Sequence, residues 1–205
     1  MSESIRTAEL EIGDILACYG TDLVSRIISA ATCSPCQRPF YGPSHLATIT
    51  RFQDRHVWSE STSLGRLPCQ YRGIIVAGVQ IHDPGERIAE YLQHGGYVEI
   101  YRLTKYWKFS PLEAAAFSQI FTEQFLSVPH LYDYSGAVLS GSRCYQLSKC
   151  FPAANLESLF CSELVAALLQ RLQRLPLSNP TRWNPSRLLR QLIADGIYSR
   201  HTTAR

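Results

Sequence analysis

The tetrapeptide Ser110-Pro111-Leu112-Glu113 constrains the fold of this chain more than any other stretch. Serine followed three residues later by glutamate is a capping box, in which two side chains satisfy the first unpaired amides of a helix. Proline suits the first helical position because the N–H it lacks would have had no partner there. Behind this start Phe117, Ile120, Phe121 and Phe125 recur at helical spacing, and such an aromatic stripe belongs to a core. Upstream lie runs that read as strands: Gly13 to Cys18 (a turn entering a short strand), His45 to Arg51, His56 to Glu60, Gly73 to Ile81 and Tyr97 to Leu103.

The remaining helices carry their own punctuation. Thr21 or Asp22 can cap a helix through about Ala31, with Leu23, Ile27 and Ile28 on one face. Pro84 opens a helix that stops at Gly95-Gly96. A fourth helix runs roughly from Leu156 to Leu175, and Asn184-Pro185 starts a last short one with Leu188, Leu189 and Ile193 inward. Loops occupy Cys33 to Pro43 and Pro129 to about Pro152. Without repeat or linker, the 205 residues read as one α+β domain with a core of about 13–193.

Composition excludes several classes. No apolar run approaches the roughly 20 residues a transmembrane helix needs. The N-terminus lacks a basic start followed by an apolar stretch, so the expected location is cytoplasmic as synthesised, with signal-less delivery left open. The net charge of +3 is too small to argue for nucleic acid. From Val165 onward every Lys/Arg position is arginine, against the single acid Asp195. That asymmetry fits a solvated face or contact with an anionic polymer or headgroup. Seven cysteines, an odd number in no scaffold-like array, read as reduced thiols.

One of them stands apart. In Phe160-Cys161-Ser162-Glu163-Leu164-Val165 the cysteine sits near a helix start, beside the stripe Phe160, Leu164, Leu168 and Leu172. Unpaired amides and the helix dipole favour a thiolate there. His45, at the head of an apolar strand, can take the thiol proton, and Glu60 on the next strand can orient the imidazole.

These pieces resemble the NlpC-type cysteine peptidase superfamily in its circularly permuted, YiiX/YaeF-like form, a papain-like fold. Gly13-Asp14-Ile15-Leu16 and Ser44-His45-Leu46-Ala47 come first. Leu131-Tyr132-Asp133-Tyr134-Ser135-Gly136 and the Cys161 phrase come second, the reverse of the unpermuted order. Glu60 matches the glutamate after the histidine strand, and Asn184-Pro185-Ser186-Arg187-Leu188 is similar to a Thr-Pro-Ser-Asp-Leu helix start. The resemblance covers roughly Gly13 to Leu189. It departs from the family at Ala47, where glycine is common, and in the insertion-like stretch Val138 to Ala154 with Cys144 and Cys150.

The resemblance implies a cysteine amidase with Cys161 as nucleophile, His45 as base and acid, Glu60 as orienter and Tyr132 near the nucleophile, Tyr134 being the alternative tyrosine. It implies no metal and no organic cofactor. The expected substrate is a peptide or acyl amide, foremost a peptidoglycan stem peptide. Relatives resembling lecithin:retinol acyltransferase make lipid acyl esters or amides the alternative, and a non-catalytic binding domain is the rival of another class. An immunity or delivery partner is expected if the chain is a secreted effector. Cys33-Ser34-Pro35-Cys36 has metal-knuckle spacing but no second pair to complete a site, so zinc, a redox pair and plain loop cysteines all stay open. His56, His82, His94 and His130 are expected in surface or turn roles.

Overall fold

The computed structural model describes residues 9–33, 36, 39, 41–63, 65–128, 160–176 and 183–204. They form an α+β arrangement of β1 (Ile15–Tyr19), α1 (Leu23–Ala31), β2 (His45–Phe52), β3 (Arg55–Thr62), β4 (Gly78–His82), α2 (Pro84–Gln93), β5 (Tyr97–Leu103), α3 (Pro111–Phe121), α4 (Cys161–Arg171), α5 (Pro185–Ala194) and β6 (Tyr198–Ala204). The strands make one six-stranded sheet in the order β4-β3-β2-β1-β5-β6, antiparallel at every pairing. No helix among the described residues is long and apolar enough to cross a membrane.

Alternation along the strands divides the core in two. Ile15, Ala17, Leu46, Val57, Val79 and Ile81 pack with the helices α3, α4 and α5. Leu16, Ala47, Ile49, Trp58, Val98 and Ile100 pack with Ile88 of α2 on the other face. Because side chains alternate along a strand, polar residues at 60, 80 and 82 share the α2 face with Trp58.

The helix starts follow the capping chemistry. Ser110 Oγ accepts from Glu113 N at 3.3 Å and Ser110 N donates to Glu113 Oε2 at 2.9 Å, a complete capping box. Asp83 caps α2 by accepting from Gly85 N and Glu86 N, with Pro84 behind it. Asn184 caps α5 through Arg187 N, and Asp22, rather than Thr21, caps α1 through Ser25 N. After α3 the chain widens into a π-helical turn, Thr122–Leu126, which carries Phe125 and Leu126 into the core.

Two expectations change, for the Gly73 run and the core limit, and the apolar face of α1 gains a direction. The run Gly73 to Ile81 is strand only from Gly78, within Gly78–His82; Gly73 takes φ +70° as its amide folds back onto Cys69 O, and residues 73–77 are bends and irregular chain. Leu23 and Ile27 of α1 face outward with Val24, at 74, 58 and 47% exposure. β6 lies past the expected core limit of residue 193; its partly exposed Tyr-Ser-Arg-His-Thr-Thr-Ala pattern is that of a sheet-edge strand with little apolar signal.

The arginine-rich end proves to be a set of individual struts. Arg171 lies over the Phe125 ring, Arg187 over Trp183, Arg174 pairs with Glu113 beside Trp107, and Arg200 meets Glu99. Arg190 donates to Pro39 O at 2.8 and 3.2 Å, tying α5 to the loop before His45. That loop is pinned again where Thr32 Oγ1 meets Ser186 Oγ at 2.7 Å. A Cβ at Gly42 would stand 1.5 Å from Ser186 Oγ, so only glycine admits this close approach.

Candidate active site

Cys161 is the first residue of α4, whose axis runs against β2 and β3. The helix is seated by its apolar stripe, in which Phe160, Leu164 and Leu168 are fully buried. Burying a leucine side chain is worth about 1.5–3 kcal/mol, so the register of the helix is firmly set. Its first turn is fixed further by Glu163 Oε2, which accepts from Phe160 N at 3.0 Å, and by Ser162 Oγ, which donates to Trp183 O. The N-terminal amides, with the positive end of the helix dipole, therefore sit beside the Cys161 thiol.

His45 is the first residue of β2 and pairs across to Cys18 of β1. Ser44, just before it, is held by its amide to Cys18 O at 2.9 Å, while its hydroxyl bridges Gly20 N and Cys18 O. His45 Nε2 lies 2.7 Å from Glu60 Oε2, which leaves Nδ1 as the ring nitrogen for the thiol. Burial works against a charge on this imidazole, but the adjacent Cys161 sulfur and then Glu60 outweigh it and hold the ring pKa up to about 9.

Glu60 is wholly buried, and every partner around it is a cation or can become one. Arg87 of α2 donates from Nε to Oε1 at 2.8 Å and from Nη2 to Oε2 at 3.3 Å. His82 of β4 brings Nε2 to 3.5 Å from Oε1 and to 3.0 Å from Gln80 Oε1. Burial alone would push the carboxyl upward; Arg87, His45 and His82 overcome it and hold Glu60 well below the usual carboxylate range. His82 is lowered, burial outweighing the pull of Glu60, so it is the neutral neighbour of the set. Arg87 in turn pairs with Glu90 and lies 4.9 Å over the Tyr91 ring.

Cys161, His45 and Glu60, expected together from the sequence, are thus brought together. Tyr132 and Tyr134, His130, Cys144, Cys150 and the Val138 to Ala154 stretch fall outside the described residues. Arg87 and His82 belong to the cluster although the sequence reading had His82 at a surface or turn. The signal for both was present: Gln80 and His82 alternate with Val79 and Ile81, and Arg87 directly precedes the buried Ile88. Cys33 and Cys36 are exposed, and among the described residues no group of three or more His, Cys, Asp or Glu is arranged to hold a metal ion.

Comparisons with known proteins give a fold relationship. No protein-family model matches the sequence, and no curated protein sequence matches it. Among solved structures, the chain is similar to the crystal structure of the metalloprotein yiiX from Escherichia coli O157:H7, at a TM-score of 0.51 and 16% identity. The match covers 85% of this chain and 78% of that one. At that identity the likeness is one of fold.

Proposed function

We propose that this chain is a cysteine hydrolase of circularly permuted papain-like fold, a single domain cleaving amide bonds by a Cys161–His45–Glu60 mechanism. The observation that carries the reading is the buried 2.7 Å contact between His45 and an ionised Glu60, set beside a thiol at a helix N-terminus. Cys161 Sγ, its proton passed to His45, attacks the amide carbonyl. The tetrahedral oxyanion is met by the Cys161 backbone N–H, with Tyr132 as the further donor. The imidazolium then protonates the leaving amine, and water activated by the neutral imidazole cleaves the thioester to release the acid and restore the thiol. Glu60 keeps the ring oriented and stabilises its cationic form, without itself taking the proton.

The fold likeness to a metalloprotein raises a metal for this chain as well, and the residues do not fit one. Both oxygens of Glu60 are occupied by the Arg87 guanidinium and His45 Nε2 is turned onto Glu60. A cation there would face Arg87 directly, so no step is routed through a metal.

The substrate proposed first is a peptide amide of the bacterial cell wall, reached by a signal-less route, with an immunity or delivery partner if the chain is an effector. A second reading, an acyl ester or amide of a lipid, is favoured by α1. That helix follows the strand end paired with His45 and turns Leu23, Val24 and Ile27 outward. Muropeptides and short-chain phospholipids offered to the wild type and Cys161→Ala decide between them. Release of amine from muropeptide that needs Cys161 supports the first; fatty-acid release alone supports the second. Turnover by Cys161→Ala equal to wild type would sink the thiol mechanism, and a Cys161 no more reactive than exposed Cys33 would point to a binding domain.

A further inference from the structure

We infer that Arg87 is a positioning residue for this site: its fork fixes the Glu60 carboxylate as an oriented anion and, through it, holds the His45 ring toward Cys161. The inference rests on the cysteine-hydrolase reading and adds to it a residue from outside the three reacting groups. Arg87 sits on α2, a helix on the face of the sheet opposite α3, α4 and α5.

The geometry separates Arg87 from an ordinary ion pair. Its Nε and Nη2 reach the two different oxygens of Glu60, at 2.8 and 3.3 Å, so the plane of the carboxylate is set and not only its charge. The oxygen that receives Nη2 is the one bonded to His45. The guanidinium is itself locked: it is 4% exposed, pairs with Glu90 through Nη1 and lies over Tyr91. A lysine would supply charge without the fork.

Charge balance gives the consequence. With Arg87 present, guanidinium, Glu60 carboxylate, imidazolium and thiolate sum to zero charge, and Glu90, on the part-exposed Nη1 side, adds one further carboxylate. Without it, the same buried arrangement carries a net negative charge and relieves it by binding a proton, at Cys161 or at Glu60. Either event removes the thiolate–imidazolium pair or its orienter. The groups facing Glu60 are His45 from β2, His82 from β4 and Arg87 from α2, with Cys18 of β1 and Tyr91 of α2 nearby. His45 itself faces Cys161 of α4. Cys18 and Tyr91 are both pushed up, first by burial, and stay neutral, so neither replaces Arg87.

The test is alkylation of Cys161 by iodoacetamide across a pH series, read by mass spectrometry, in wild type, Arg87→Met, Arg87→Lys, Glu60→Gln and the double variant Glu60→Gln/Arg87→Met. Arg87→Met is expected to cut labelling at neutral pH by about tenfold for each pH unit that its profile moves to alkaline. Arg87→Lys recovers part of the loss, and Arg87→Met adds nothing in the Glu60→Gln background, because Arg87 acts only through Glu60. The double variant removes both charges of the Glu60–Arg87 pair and leaves only the part-exposed Glu90 without its arginine, so it keeps the comparison open if Arg87→Met alone fails to fold. An unmoved profile in Arg87→Met or Arg87→Lys, or an equal loss with and without Glu60, overturns the inference. Carbon NMR of the Glu60 carboxyl keeps the two ideas distinguishable. If wild-type Cys161 labels no faster than Cys33, the hydrolase reading fails. The hold on Glu60 is then read as a carboxyl that titrates above about pH 4 only when Arg87 is replaced, and its failure to titrate in that variant overturns the inference too.

Discussion

Two buried glutamates on one sheet, Glu60 and Glu99, separate a carboxylate held by phenols from one held beside an imidazole and a thiol. Glu99 of β5 accepts from Tyr19 Oη at 3.0 Å and Tyr101 Oη at 2.9 Å, with Arg200 at 3.3 Å. Glu60 also has an arginine and two side-chain partners, but these are imidazoles. Both phenols are pushed far upward, by burial first and then by Glu99, so Tyr19 and Tyr101 keep their protons throughout the physiological range. His45 is held up to about 9, far below the phenols, with the Cys161 sulfur beside it as a proton partner. The carboxylate is common to both; an imidazole partner that can pass a proton to and from a neighbouring thiol belongs to one.

The largest way to break this comparison is to remove the proposed nucleophile, Cys161. Cys161→Ala should lower amide turnover by on the order of a thousandfold or more while the fold survives, since the side chain lost is small. Circular dichroism and turnover measured on the same sample check both halves. Retained activity would separate the Glu60 cluster from catalysis altogether.

Next comes the carboxylate itself. Glu60→Gln leaves Arg87 buried with only Glu90 as counter-charge and His45 with only the Cys161 sulfur beside it. Breaking a buried pair from one side costs about 3–5 kcal/mol. Denaturant melts should show that loss, and Cys161 should lose its fast labelling at neutral pH. A variant as stable and as reactive as wild type would mean that Glu60 neither orients His45 nor balances Arg87.

A smaller effect appears in the pH dependence of stability. His45 is raised in the folded state, so its contribution is fully present below the unfolded value of about 6.5. It is lost as pH climbs through about 9. Glu60 is depressed, so its contribution is present above roughly 4.3 and is lost as pH falls toward its folded value. Thermal melts should therefore decline from neutral toward pH 9, and His45→Ala should flatten that decline while leaving the acid limb in place. An alkaline slope unchanged in His45→Ala would show that another group carries it.

The sequence displayed these features unequally, and the reason is how local each is. Ser110, Asp83 and Asn184 cap their helices through neighbours two or three residues away, so the starts of α2, α3 and α5 could be read directly. Cys161, His45 and Glu60 could be read because each lies in a short motif whose order resembles a known family. Arg87 and His82 left only a burial signal: their meaning depends on β4 pairing with β3 and on α2 packing over β3, contacts that no short motif encodes. The strand expected from Gly73 failed for a related reason. Ile74 and Ile75 look like strand residues, yet the turn closed between Cys69 and Gly73 leaves them exposed. α1 shows the same limit, since an amphipathic pattern predicts a helix without saying whether its apolar face meets core or solvent.

The mildest substitution sharpens the comparison from the other side. Glu99→Gln keeps an amide oxygen for the two phenols and loses the charge that meets Arg200. Arg200 is largely exposed at 62%, so that pairing is screened. The expected loss is about 1 kcal/mol or less. Cys161 labelling should keep the wild-type pH profile, because no group in the Glu99 cluster exchanges a proton with His45. Glu60→Gln and Glu99→Gln then remove the same atom and the same charge from two positions on one sheet. If only the first changes thiol reactivity, the imidazole partner is what distinguishes the two carboxylates. If Glu99→Gln shifts the profile as well, the field of the whole sheet acts on Cys161, and the division between a reactive carboxylate and a structural one is lost.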